Sequence, residues 1–139
     1  MGQLAADLSA ALVAAGLTAS PVRWSGAGMP SGVDGSFVFR FDGGEQAGPI
    51  DGTGITADAH DVVIECLLSA GAQTPVVVEA AALDRVSLIR RALDIASPGT
   101  STWAGCRYRG YTLGDLDVTW RLVSVRFTMY AAFNHAVNN

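Results

Sequence analysis

Asp58, His60 and Asp61 fall within four consecutive positions, and a histidine beside carboxylates is the raw material of a general base or a metal site. Their spacing matches neither a zinc site nor a calcium loop. His60 also opens a strand-like alternation, where a solvated strand-end histidine is the simpler reading. His135, the other histidine, lies four residues from the last position, and neither histidine sits in a nucleophile-elbow pattern, so the parts of a hydrolase triad are missing. Asp115 and Asp117 read as turn chemistry. Paired carboxylates could in principle serve glycoside hydrolysis, but no aromatic platform for a sugar accompanies them. Cys66 and Cys106 have no close cysteine or histidine at metal-site spacing and sit in apolar or aromatic stretches, as buried reduced thiols do. The amides of Asp51-Gly52-Thr53-Gly54-Ile55 could cradle an anion. No helix pattern opens after them, however, and no Gly-Lys-Ser/Thr follows, so a flexible or assembly-ordered loop is the reading. No enzymatic activity, cofactor or metal is expected.

Arg107, Arg109, Arg121 and Arg126, interleaved with Tyr108, Tyr111 and Trp120, have the composition of a nucleic-acid-binding sheet, in which guanidinium groups meet phosphates and rings stack on bases. The chain as a whole is acidic, with a formal net charge of −4. Arginine and aromatic side chains are also enriched at protein interfaces, and that reading fits an acidic chain better. All nine basic residues are arginine, so the phosphate-binding lysine of a P-loop, a Schiff-base lysine and a lysine-rich nucleic-acid arm are excluded. The charge is also unevenly spread. Residues 1–70 hold eight acids against Arg23 and Arg40, a net of −6, whereas residues 71–139 hold five acids against seven arginines, a net of +2. The two halves can attract one another within a subunit or between neighbours.

The elements that must position these groups follow from periodicity. A length of 139 residues suits one domain, and 50% hydrophobic with only 16% charged residues favours a protein that buries further surface against partners. Leu4, Leu8, Ala11, Leu12 and Ala15 mark a helix from Gly2 to Ala15, stopped by Gly16. Thr18 to Gly35 is mostly loop, with a short strand at Val22-Arg23-Trp24. Ser36 to Asp42 alternates as a half-buried strand that anchors Phe37, Phe39 and Phe41 in the core. Gly43 to Ala59 shows no period and reads as a long loop. His60 to Ser69 resumes a strand, with Val63 and Leu67 suggesting cover on both faces. Leu83, Val86, Ile89, Leu93 and Ala96 stripe an amphipathic helix from about Glu79, ended by Ser97-Pro98-Gly99. Pro75 to Val78 is either its lead-in or a short strand. Trp103 to Thr112 and Asp117 to Phe133 form a hairpin around Leu113-Gly114-Asp115, and residues 134–139 form a polar tail. The expectation is one α+β domain over residues 1–139, in the order α-β-β-α-β-β. Its four-stranded sheet is antiparallel or mixed, with both helices on one face. The opening residues lack a basic signal start, Ala6 stands where a myristoylation motif has Ser or Thr, and Glu65 and Glu79 break the apolar runs. Folding in a cytoplasm, away from membrane, is therefore expected.

Three segments carry a likeness to a known family: the Ala/Leu-rich opening helix, the run Leu88-Ile89-Arg90-Arg91-Ala92-Leu93, and the closing strand Trp120-Arg121-Leu122-Val123-Ser124-Val125-Arg126-Phe127. In organisation the chain resembles the tail-terminator proteins of long-tailed phages and gene-transfer particles. That resemblance implies a virion protein of the tail and neck: a homo-oligomer, hexameric, whose ring caps the tail tube protein, stops its polymerisation and meets a head–tail connector or stopper protein. DNA would pass through the lumen only as cargo. It places Arg85 and Arg91 on the middle helix, Arg107, Arg109, Arg121 and Arg126 on the hairpin, and Asp51 and Asp58 in the 43–59 loop at subunit or partner contacts. Other neck proteins, namely a stopper, an adaptor or a tail-completion protein, fit the same pattern. A small-molecule-binding domain using the 43–59 loop as a lid is the reading from a different class.

Overall fold

The computed structural model describes residues 2–20, 33–46, 55–69, 71, 73–100, 103–116 and 119–134. Helix α1 spans Gly2–Ala14, strand β1 Thr18–Ala19, β2 Ser36–Gln46, β3 Ile55–Ser69, helix α2 Pro75–Thr100, β4 Trp103–Asp115 and β5 Trp120–Asn134. The sheet is mixed and five-stranded, in the order β1-β2-β3-β5-β4. The expected four-stranded sheet is thus corrected by β1, a two-residue strand parallel to the start of β2, with Thr18 opposite Ser36. Two residues cannot display a period, so β1 left no mark in the sequence. It exists because of how α1 ends. Gly16, at φ +100°, donates to Val13, and Leu17 donates to the carbonyl of Leu12 at 3.2 Å, a reversal that turns the chain back along the sheet. Leu17 is buried by the same turn. Residues 21–32, including the strand expected at Val22-Arg23-Trp24, lie outside the described residues, as do Asp51 and His135.

Leu4, Leu8 and Leu12 of α1 and Val78, Ala82, Val86, Ile89 and Leu93 of α2 pack on one face of the sheet, as the two stripes require. The α2 stripe steps by four, four, three and four residues, which turns Ala82 rather than Leu83 inward; Leu83, expected in the core, is 50% exposed. Val76 to Val78 are helical, not a strand. Pro75 occupies the first helical position, where a missing N–H costs nothing, and Val78 donates to the carbonyl of Thr74. The helix continues through Ser97-Pro98-Gly99, where a stop was expected.

The expected 43–59 loop is the largest correction. Gly43 to Gln46 pair with Asp61 to Asp58, and Ile55 to Ala59 pair with Asn134 to Tyr130, so most of that stretch is sheet. Its glycines and alanines hide the alternation, but the ladder is made by backbone groups and needs no periodic side chains. Facing the helices, Phe37, Val62, Ile64, Cys66, Val123, Val125 and Met129 form the floor of the core. On the other face Val38, Val63, Leu67 and Thr128 are also buried, in line with the expectation that β3 is covered on both sides.

Candidate interaction surface

Alternation along the strands sends most of the charged side chains to the face away from the helices, here called the open face. Arg40 on β2, Asp61 and Glu65 on β3, Arg126 on β5 and Arg107 on β4 all share the parity of Val63 in the ladders. Arg40 donates to Asp42 at 2.8 Å and approaches Glu65 at 3.3 Å. The hydroxyl of Thr128 donates to Asp61 at 3.0 Å, and Arg109 reaches the same hydroxyl at 3.5 Å. Asp42, Asp61, Arg109 and Arg126 line a depression of about 340 Å³, next to one of about 690 Å³ that reaches Glu45 and Tyr130. Both are open to solvent and lined by groups of both signs, whereas a ligand pocket is enclosed and mostly apolar.

Charge on this face is divided across the strands. The β2–β3 side carries Asp42, Glu45, Asp61 and Glu65 against Arg40, four carboxylates less one guanidinium, a net of −3. The β4–β5 side carries Arg107, Arg109 and Arg126, a net of +3. The division seen along the sequence is therefore also a division across the sheet.

Each outer strand is interrupted by a bulge built from a charged residue and a glycine. In β2 the register shifts between Phe41 and Gly43, leaving Asp42 as the extra residue; in β4 it shifts between Tyr108 and Gly110, leaving Arg109. Gly43 and Gly110 adopt φ of +143° and +124°, backbone that a side chain strains. The two bulges flank one cross-strand row, Phe41–Val62–Phe127–Tyr108, at opposite margins of the sheet. A glycine inside a strand pattern is the sequence signal for such a bulge; Gly110 lies in the expected strand Trp103 to Thr112, whereas Gly43 opened the expected loop and gave no such signal.

Arg107, Arg109, Arg126 and Arg91 are exposed. Arg121 pairs with Asp115 at 2.8 Å across the β4–β5 turn. Arg85 is turned inward instead. Its side chain is only 13% exposed, and it donates to Asp34 and to the carbonyl of Leu67, both at 2.8 Å, and to the thiol of Cys66 at 3.1 Å. It clamps the approach to β2 onto the end of β3, a role the sequence did not suggest because Asp34 lies 51 residues away. Burial pushes the Cys66 thiol up, against the lowering effect of Arg85. Burial, and then Asp94, push Cys106 up to about 12.

Asp58 is half-buried, and its ladder position has the parity of His60, opposite to that of Asp61, so the His60 cluster is split between the two faces of β3. His60 packs its ring edge-on to Phe41 at 6.3 Å. A Cβ on Gly44 would come within 2.8 Å of both the Ala59 carbonyl and His60, so this close ring packing depends on glycine. Among the described residues no three His, Cys, Asp or Glu gather in a way that could hold a metal ion.

No protein-family model matches the sequence, and no curated protein matches it. The fold does match a solved structure. A chain of the virion of a native gene transfer agent particle superposes with a TM-score of 0.57 at 18% identity, covering 95% of this chain and 96% of that one. The likeness is one of fold, and it runs nearly end to end.

Proposed function

We propose that this chain is a structural subunit of a phage-like virion, and specifically the tail terminator: six copies form a ring that caps the tail tube, halts its polymerisation and meets the head-side connector. The observation that carries this reading is the end-to-end likeness to a chain of a gene transfer agent virion, without a large insertion on either side. The surface agrees with it. The open face offers shallow depressions lined by opposed charges, the kind of surface that pairs with another charged surface. Arg107, Arg109 and Arg126 on this face and Arg91 on α2 are the exposed cations proposed for copy-to-copy or partner contacts, Arg85 and Arg121 serve internal ties, and Asp51 and Asp58 remain acidic candidates. A net-acidic ring suits a lumen through which DNA passes without being held.

The test is electron microscopy of the purified protein, alone and mixed with tail tubes assembled from the cognate tube protein. Closed rings that sit on tube ends and stop elongation are expected. Rings that bind portal-side proteins but ignore tube ends would move the assignment to a stopper or adaptor, and a monomer at all concentrations would overturn it.

A further inference from the structure

If copies of this chain form a ring, its sheet has two margins with which to do so. Among the described residues, β1 covers the outer side of β2 only at Ser36 and Phe37, leaving Val38 to Gln46 without a strand on the side away from β3, and none lies beyond β4. The β2 margin bears Asp42 and Glu45 with Arg40 paired to Asp42 at 2.8 Å, and is acidic on balance; the β4 margin bears Arg107 and Arg109. A self-complementary contact between two β4 margins would oppose arginine to arginine, and one between two β2 margins would oppose carboxylate to carboxylate. A contact of one margin with the other brings opposite net charges together, and a head-to-tail contact of that kind builds rings when it closes.

We infer that neighbouring copies meet margin to margin, the Asp42/Glu45 edge of β2 in one copy against the Arg107/Arg109 edge of β4 in the next. This deepens the ring reading and rests on it. The levels of the charges along the strands agree. Arg107 shares a cross-strand row with Gly43, next to Asp42, and Glu45 stands two residues further on, about 7 Å at strand rise. An arginine side chain spans that offset, so the contact needs little displacement along the strands. A head-to-tail contact without a step along the ring axis closes into a ring when its rotation divides a full turn, whereas a stepped one winds into a filament. The bulges at Asp42 and Arg109 interrupt the outer ladders, as sheet edges protected against indiscriminate strand pairing do. The contact is therefore made by side chains and weakens with salt.

Two double variants test this. Asp42→Arg/Glu45→Arg reverses one margin, and Arg107→Glu/Arg109→Glu reverses the other. Each alone opposes like charges at every contact and is expected to lose rings, by mass photometry, at a concentration where the unaltered protein is assembled. Mixed one to one, the two variants restore opposite charges at every contact, and rings of alternating composition return. Circular dichroism of each variant establishes that it is folded; should one be unfolded, Glu45→Arg and Arg107→Glu replace the double changes. Rings from either folded variant alone, or no rings from the mixture, would overturn the inference while leaving the ring reading intact. Absence of rings from the unaltered protein would sink that reading itself.

Discussion

Replacing Arg85 with alanine separates an internal clamp from an interface residue. The guanidinium donates at 2.8 Å to the Leu67 carbonyl and to Asp34, and at 3.1 Å to Cys66. A bond from a charged donor to a neutral carbonyl contributes roughly 1.5–3 kcal/mol. The loss is not aggravated by an orphaned acceptor, because the Leu67 carbonyl also accepts from Gly35 at 3.0 Å. The ion pair adds at most about 1 kcal/mol, since Asp34 is 51% exposed and its attraction is screened. The expected cost of Arg85→Ala is therefore about 2–3 kcal/mol, a fall of about 1–2 M in the urea midpoint. Asp34→Asn keeps one acceptor where Asp34 uses two, Oδ1 for the Ser69 amide and Oδ2 for Arg85, both at 2.8 Å; losing one exposed bond should cost about 1 kcal/mol. Both are to be measured by urea unfolding at a dilution where the protein is monomeric, because assembly itself stabilises. A loss below about 0.5 kcal/mol for Arg85→Ala, or equal losses for the two variants, would refute the clamp.

Gly110→Ala should lower stability by about 1–2 kcal/mol through backbone strain at φ +124°, since the new methyl would meet no neighbour within 4 Å. An unchanged melting temperature would mean that the β4 bulge is not built as described. A further expectation concerns pH. The Cys106 proton is held in the fold up to about 12, raised by burial and by Asp94, against an ordinary value of 9.0. Above pH 9 the unfolded chain gives up that proton while the folded chain keeps it, so stability contributed by the neutral thiol is complete below 9 and declines as pH rises towards 12. Urea midpoints followed from pH 7 to 11 should fall more steeply for the unaltered protein than for Cys106→Ala, and parallel curves would refute the assignment.

The two helical stripes, the Phe37 strand, the double-sided cover of β3 and the closing hairpin were legible in the residues. Leucines three and four apart or valines two apart leave few ways to bury an apolar face. The low charge, the absent lysine and the acidic-to-basic division along the chain were legible for the same reason, since composition survives folding unchanged. What stayed hidden was held by the backbone or by distance. β1 is too short for a period, and the paired arms at Gly43–Gln46 and Ile55–Ala59 lacked one because glycine and alanine carry no pattern. Leu83 misled because a helical stripe can step by three or by four, and only contact with the sheet selects which. Arg85 and Arg109 are both arginines to the sequence. The tertiary structure turns one inward onto Asp34 and Leu67 and leaves the other exposed at a bulge, since the hydrogen-bonding groups that decide between them lie on strands far away in the chain. The sequence alone determined that the two halves of this protein carry opposite charge; the sheet decided that those charges lie on opposite margins, because β3 and β5 pair at its centre and hold β2 and β4 apart on either side.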